Sequence, residues 1–115
     1  MESLEKGAQA LGLTLSPAQV RLFQAYAEEL VAWNQRLSLT AITSPEDIQL
    51  KHFLDSLTCL QALPAGFVCQ RVLDVGSGGG FPGLPLKIQD PTLQVTLLET
   101  TIKKAEFLRH MVGHL

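Results

Sequence analysis

Long apolar runs, paired cysteine motifs and an excess of one charge are all missing from this sequence of 115 residues. No apolar stretch approaches the roughly 20 residues that a transmembrane helix needs. The two cysteines, Cys59 and Cys69, form no C-x-x-C motif, which favours free reduced thiols over a disulfide or a zinc site. The first ten residues lack the basic and apolar parts of a secretory signal. These absences predict a soluble, cytoplasmic protein with no membrane partner and no metal.

Charge gives only a weak indication of the partner. Nine basic side chains oppose eleven acidic ones, so the formal net charge is −2 and the basic excess typical of nucleic-acid binders is absent. The end of the chain is locally basic. There Lys103, Lys104 and Arg109 are candidate contacts to phosphate, with a solvated helix face as the alternative.

The chain divides near the turn signal Leu-Pro-Ala-Gly at 63–66, which predicts a helical cap over 1–63 and a second unit over 64–115. Ser16 before Pro17, with Gln19 three residues after the serine, predicts a helix start with a capping box. Ser44 before Pro45 predicts a second start. Apolar spacing then predicts one buried stripe on each helix, formed by Val20, Phe23, Ala27, Leu30 and Val31, and by Ile48, Phe53, Leu54, Leu57 and Leu60.

The second half changes its period. Residues 72–75 predict a short strand buried on both faces, and residues 94–99 a second strand, as in a parallel sheet. A short helix is predicted near Pro82 and another from about Ile102. This order of elements predicts the opening of an α/β doubly wound fold. The last helix is expected to have one apolar side, formed by Ile102, Ala105, Leu108, Met111 and Val112.

Three glycines at alternate positions, Gly76, Gly78 and Gly80, follow the first strand. A sharp turn from strand to helix favours residues that are free to adopt positive φ. Missing side chains also let a ligand approach main-chain N–H groups at a helix start. The order Leu-Asp-Val-Gly-x-Gly-x-Gly resembles the first motif of S-adenosylmethionine-dependent methyltransferases. Glu99, the acid that closes the second strand, is suited to accept the ribose hydroxyls of an adenosine.

Other nucleotide motifs fit less well. The dinucleotide pattern G-x-G-x-x-G, counted from Gly76, meets Phe81 where its third glycine should stand. Counted from Gly78 it finds Gly80 and Gly83, but it begins two residues late. No Gly-Lys-Ser/Thr follows, which excludes a P-loop. An NAD-type oxidoreductase and a purely structural glycine turn stay open as alternatives.

Further motifs occur in order along the chain: Trp33-Asn34, Leu39-Thr40-Ala41-Ile42, Lys51-His52-Phe53-Leu54-Asp55-Ser56, the loop from Asp74 to Gly83, and Glu99-Thr100-Thr101-Ile102-Lys103-Lys104. From about residue 20 onward they resemble the RsmG (GidB) family, which methylates guanine N7 in small-subunit (16S) ribosomal RNA. The resemblance implies a helical N-terminal cap followed by the first part of a class I, Rossmann-like methyltransferase domain. It implies S-adenosyl-L-methionine as cofactor and ribosomal RNA, or the assembling small subunit, as partner. Because the family's domain continues well beyond Leu115, the chain is expected to be the N-terminal portion of such an enzyme.

The resemblance also implies site residues. Cofactor contacts carried over by motif are Gly76, Phe81, Glu99, Thr100 and Thr101. The glycine loop itself adds Asp74, Ser77, Gly78 and Gly80, with Asp74 either orienting the methionine end of the cofactor or acting as a helix-start acid.

The helix that follows Ser44 supplies the catalytic candidates His52 and Asp55, and Lys51 joins the candidate RNA contacts. At helical spacing, an ion pair from Lys51 to Asp55 and a hydrogen bond between His52 and Ser56 are the structural alternatives. A non-catalytic module that binds RNA or protein through its helices is the remaining alternative function.

Overall fold

The computed structural model of the chain describes residues 1–64, 66 and 68–115. Ala65, part of the turn predicted at 63–66, lies outside the described residues. In chain order the elements are α1 (Glu2–Ala10), α2 (Pro17–Asn34), α3 (Pro45–Asp47), a π-helix (Ile48–Leu54), α4 (Asp55–Leu57), a 3-10 helix (Thr58–Ala62), β1 (Arg71–Val75), α5 (Gly83–Gln89), β2 (Gln94–Leu98) and α6 (Ile102–His114). No described helix is long and apolar enough to cross a membrane.

Both predicted helix starts in the first half are confirmed. The Ser16 hydroxyl accepts from the main-chain N–H of Gln19 at 3.1 Å, and the Gln19 side chain accepts from the N–H of Ser16 at 2.8 Å. These two bonds complete the capping box. The Ser44 hydroxyl accepts from the N–H of Asp47 at 3.2 Å. From there one helical segment continues to Ala62, but its winding changes from α to π, back to α and then to 3-10.

The sequence patterns do not predict α1, which has few apolar residues. Its buried side chains are Leu4 and Ala8, and the main-chain N–H of Leu4 donates to the Gln49 side chain at 3.1 Å. The helix therefore packs against the π-helix.

The strands form a parallel pair in which Val72 lies beside Val95. Helix α5 connects them and covers the face that carries these valines, because side chains alternate between the two faces of a strand. The prediction that the first strand is buried on both faces is wrong. Leu73 is 65% exposed and Val75 is 69% exposed, since both stand on the opposite face, which the described part of the chain leaves open.

The helical first half and the strand-containing second half share one hydrophobic core. Its buried members are Leu4, Ala8, Phe23, Tyr26, Leu30, Ile48, Phe53, Leu57, Leu84, Leu86, Ile88, Leu93, Phe107, Leu108 and Met111. The core joins α2 to α5 and α6. A shared core does not divide the chain into two separate domains, so the predicted boundary between residues 63 and 64 stays a prediction.

Two of the predicted stripes are partly wrong. On α2 the buried positions are Phe23, Tyr26 and Leu30. Val31 comes one residue after Leu30, which turns its side chain about 100° around the helix axis, and it is 38% exposed. On α6, Phe107 is buried beside Leu108 and Met111, while Ile102 and Val112 are exposed. The contact of α6 with α2, which buries Phe107, decides this orientation.

Candidate functional site

The glycine loop lies at the carboxyl end of β1, between that strand and the start of α5. Gly76 has φ +73° and Gly80 has φ +94°, conformations that L side chains rarely adopt. A Cβ on Gly80 would lie 2.6 Å from both Leu84 Cδ1 and the Tyr26 hydroxyl, so close packing requires glycine there. A Cβ on Gly76 would meet nothing within 4 Å. Gly76 therefore presents bare main chain to open space.

Hydrogen bonds hold this loop against the end of β2. The N–H of Gly76 donates to the carbonyl of Leu98 at 2.7 Å, and the N–H of Gly80 donates to the carbonyl of Ser77 at 2.7 Å. Ser77, which is buried, donates its hydroxyl to the carbonyl of Asp74 at 2.9 Å. The loop is thus fixed by bonds within the protein.

Glu99 bridges the glycine loop and the start of α6. Its two carboxylate oxygens accept from the N–H groups of Gly78 at 2.9 Å and Thr101 at 3.0 Å. These backbone bonds lower the pKa of Glu99 below its ordinary value, with a smaller contribution from the charge of Lys104. Each carboxylate oxygen can accept two hydrogen bonds, so each keeps capacity for one more donor. Thr100, beside it, is exposed.

Asp74 is buried at the other side of the loop. One of its carboxylate oxygens accepts from the N–H of Gly83, at the start of α5, at 3.0 Å. Burial raises the pKa of this carboxyl, and the bond from the Gly83 N–H opposes that rise. The bond to Gly83 is the one expected of a helix-start acid, and contact with a cofactor stays a prediction.

A column of aromatic rings connects the first half of the chain to the loop. The Phe81 ring stacks on His52 with centroids 4.3 Å apart and on Tyr26 with centroids 5.7 Å apart. The Tyr26 hydroxyl donates to the carbonyl of Gly79 at 2.5 Å. Tyr26 is absent from the predicted stripe of α2, although its spacing of three from Phe23 is that of a residue on the same face.

His52 is further held by the loop after α2. Its Nε2 lies 2.6 Å from the hydroxyl oxygen of Thr40, which also accepts from the N–H of Ile42 at 3.1 Å. Asn34 fixes Thr40 by accepting from its N–H at 3.0 Å and donating to its carbonyl at 2.9 Å. Burial lowers the pKa of His52, and the negative charge of Asp55 partly opposes this. His52 is therefore neutral near pH 7, beside the loop, while Asp55 is exposed.

Lys51 and Ser56 use other partners than the structural alternatives named. Lys51 pairs with Asp47 at 3.7 Å between exposed side chains, so the alternative of a pair with Asp55 is wrong. The Ser56 hydroxyl donates to the main-chain carbonyl of His52 and not to its ring.

The candidate phosphate contacts lie along α6. Lys103 and Arg109 are exposed and Lys104 is half-buried. Trp33 packs against Phe107 with ring centroids 5.6 Å apart. The structure therefore gathers the cofactor candidates and His52 around the glycine loop, and it leaves two of the three basic side chains on an open helix face.

Comparison with known proteins identifies the family. The family model named GidB, described as rRNA small subunit methyltransferase G, matches residues 19–115. The chain belongs to the GidB family. Every candidate residue described above lies within the matched range, whereas α1 precedes it.

Individual relatives of the GidB family agree with this match. A protein named Ribosomal RNA small subunit methyltransferase G from Roseiflexus sp. (strain RS-1) is 53% identical over 112 residues, which is 97% of this chain and 47% of the relative. Proteins of the same name from Pelotomaculum thermopropionicum and Dehalococcoides mccartyi (strain BAV1) are 46% and 52% identical over 114 and 108 residues. The matched segments make up 47% and 45% of the lengths of these two relatives. The chain thus spans about half the length of the curated relatives that it matches.

Proposed function

We propose that this chain forms the first part of a Rossmann-like domain that binds S-adenosyl-L-methionine, in an enzyme that methylates guanine N7 of small-subunit ribosomal RNA. The observation that carries the proposal is the glycine loop bridged to Glu99 at the carboxyl ends of two parallel strands. Ligands of open α/β sheets bind at this edge. The names of the relatives support methylation of small-subunit ribosomal RNA as the reaction.

The residues present fit the cofactor. Gly76 offers bare main chain that faces open space. Glu99 keeps acceptor capacity for the two ribose hydroxyls after binding Gly78 and Thr101. Thr100 and Thr101 would complete the adenosine end, and Ser77, Gly78, Gly80 and Phe81 would form the wall of the loop. When bound, this cofactor supplies an electrophilic sulfonium methyl group.

Little further chemistry is required of the side chains. Guanine N7 carries an in-plane lone pair, so no proton has to be removed before it attacks a methyl group. The protein contributes position and a suitable field. A neutral His52 stacked on Phe81 suits this task, because it adds no positive charge beside a group that becomes positive. We therefore assign His52 to orienting the reacting base, with Asp55 at the solvent side of the same site.

RNA would contact Lys51 on the π-helix and Lys103, Lys104 and Arg109 on α6. Lys51 is one residue from His52, and its pair with Asp47 is long and exposed, so phosphate can compete for it. Contacts of this kind position the backbone without reading sequence. They would make RNA affinity fall as salt rises.

Binding of S-adenosylhomocysteine to the purified chain tests the cofactor site. By isothermal titration calorimetry we expect Glu99→Gln to weaken binding about tenfold or more, because bonds to a charged acceptor contribute roughly 1.5–3 kcal/mol each. Glu106→Gln removes the same charge from an exposed position of α6 and should leave affinity unchanged. Amide NMR should show the shifts centred on Gly76, Gly78 and Gly80. Equal affinities in the two variants, or binding of NADH instead, would reject the site.

The reaction itself is tested in a chimera. This chain is joined to the remaining half of the Roseiflexus relative, and transfer of a labelled methyl group to small-subunit RNA is measured. We expect methylation at guanine N7, detected by chain cleavage specific for that product, and its loss in the Glu99→Gln chimera. A folded chimera that binds the cofactor but labels no RNA would favour the non-catalytic module.

A further inference from the structure

Three potential metal ligands from two different helices meet on the surface formed by α2 and α6. Glu29 lies on α2, and His110 and His114 lie one turn apart on α6. His110 Nε2 is 2.8 Å from one carboxylate oxygen of Glu29, and His114 Nε2 is 3.6 Å from the other. One ligand atom of each residue lies within 4.8 Å of the others. This group takes no part in the cofactor site described above.

The arrangement matches what a first-row transition metal requires. Two histidines at i and i+4 present their rings on one side of a helix, and here the rings stack with centroids 5.2 Å apart. In a tetrahedral site with bonds of about 2.0–2.1 Å, neighbouring ligand atoms are separated by about 3.3 Å. The separations of 2.8 and 3.6 Å, one to each oxygen of the Glu29 carboxylate, lie within about 0.5 Å of that value. Two imidazoles and a carboxylate leave the fourth position to water.

We propose that Glu29, His110 and His114 form a site for a divalent transition-metal ion of the zinc class. The absence of a metal is predicted from the spacing of the cysteines, and that spacing carries no information about histidine pairs on a helix. The side chains of His110 and His114 are 37% and 46% exposed, so an ion can reach the site from solvent. Imidazole and carboxylate together favour zinc, nickel, cobalt or copper over magnesium or calcium.

The site would connect the two halves of the chain. Glu29 belongs to the helical first half and the histidines to the last helix, which are already joined by the packing of Trp33 on Phe107. A bound ion would stabilise the folded chain, because the three ligands are brought together only on folding.

Trp33 provides a direct reporter, because it is the single tryptophan and its ring centroid lies 5.2 Å from that of His110. Copper(II), a strong short-range quencher of indole fluorescence, is titrated at pH 7.5, and zinc(II) binding is measured by calorimetry and by competition with copper. We expect saturable quenching with one ion per chain, reversal by an excess of zinc because copper(II) binds such ligands more tightly, and a higher midpoint of thermal unfolding with zinc present.

Variants separate this site from incidental binding. Glu29→Gln and His114→Ala should each weaken zinc binding about tenfold or more. Glu28→Gln, which removes the neighbouring and exposed carboxylate, should leave it unchanged. Circular dichroism establishes that each variant is folded, and His114→Ala changes a side chain that is 46% exposed. No saturable zinc binding by the wild type, or equal affinity in Glu28→Gln and Glu29→Gln, would overturn the proposal.

Discussion

The phenol of Tyr26 on α2 reaches the glycine loop directly, donating to the carbonyl of Gly79 at 2.5 Å. Both residues are buried, and burial raises the pKa of Tyr26 well above its ordinary value, so the hydroxyl keeps its proton. The same ring stacks on Phe81. The conformation of the loop therefore depends on a helix from the other half of the chain.

Replacing Tyr26 with phenylalanine tests this dependence. Tyr26→Phe keeps the ring and its stacking but leaves the carbonyl of Gly79 buried without this donor, which costs about 1–3 kcal/mol of unfolding free energy. We expect that loss in urea denaturation, together with weaker binding of S-adenosylhomocysteine. Ser16→Ala is the control. It removes a helix cap far from the loop, and the expected loss of unfolding free energy, about 0.5–2 kcal/mol, is comparable. If both variants bind the ligand equally well, Tyr26 does not position the loop.

Two alanine substitutions in the loop should have different effects. Gly76→Ala meets no atom within 4 Å, so its cost is the positive φ alone, about 1–2 kcal/mol. Gly80→Ala adds a clash with Leu84 and Tyr26, a further 1–3 kcal/mol or so. We therefore expect the Gly76 variant to fold and lose ligand affinity, and the Gly80 variant to lose more stability. Thermal unfolding and ligand titration check both, and the reverse order of stability would contradict the geometry.

The stability of the chain should depend on the protonation of His52. Its folded-state pKa is lowered by burial below the unfolded value of about 6.5, so the unfolded chain binds more protons. The contribution of neutral His52 is therefore complete above that value and is lost as pH falls through it toward the folded pKa.

His52→Phe keeps a ring for Phe81 to stack on and removes the titration. We expect the unfolding free energy of the wild type to fall more steeply between about pH 7 and pH 5 than that of His52→Phe. Urea denaturation at each pH gives both curves, and parallel curves would contradict the lowered pKa.

The open face of the sheet should tolerate polar substitution. Leu73 is 65% exposed, so Leu73→Thr should change the unfolding free energy by no more than about 0.5 kcal/mol. Leu86 is 2% exposed, and Leu86→Ala should cost about 2–5 kcal/mol. Sedimentation should also show less self-association for Leu73→Thr, because an exposed apolar sheet face favours it. Similar losses in both variants would mean that Leu73 is covered in solution.

Features determined by neighbouring residues could be predicted from the sequence. The capping box of Ser16 and Gln19 needs only four consecutive positions. The turn at Gly76 and Gly80 requires a positive φ, which glycine supplies. The acid that closes β2, Glu99, follows directly from the strand pattern. These predictions succeed because the physical cause lies within a few residues of its effect.

Features that depend on distant packing could not be predicted. Asp47 and Asp55 each stand four residues from Lys51, so helical spacing offers both as partners, and only the fold selects Asp47. Whether Leu73 is buried depends on which elements cover the sheet, not on its own strand. The histidine pair of α6 is visible in the sequence, but its partner Glu29 lies 81 positions away from His110. Only the folded chain brings them together.

Gln19 limits where this chain can be divided. Besides completing the capping box, its side-chain amide donates to the carbonyls of Ile88 at 3.0 Å and Gln89 at 2.8 Å, where α5 ends. A fragment that begins after residue 63 would keep the strands but lose this donor and the hydroxyl of Tyr26. The glycine loop therefore cannot be excised or transplanted as an autonomous module, and a minimal functional unit has to retain α2.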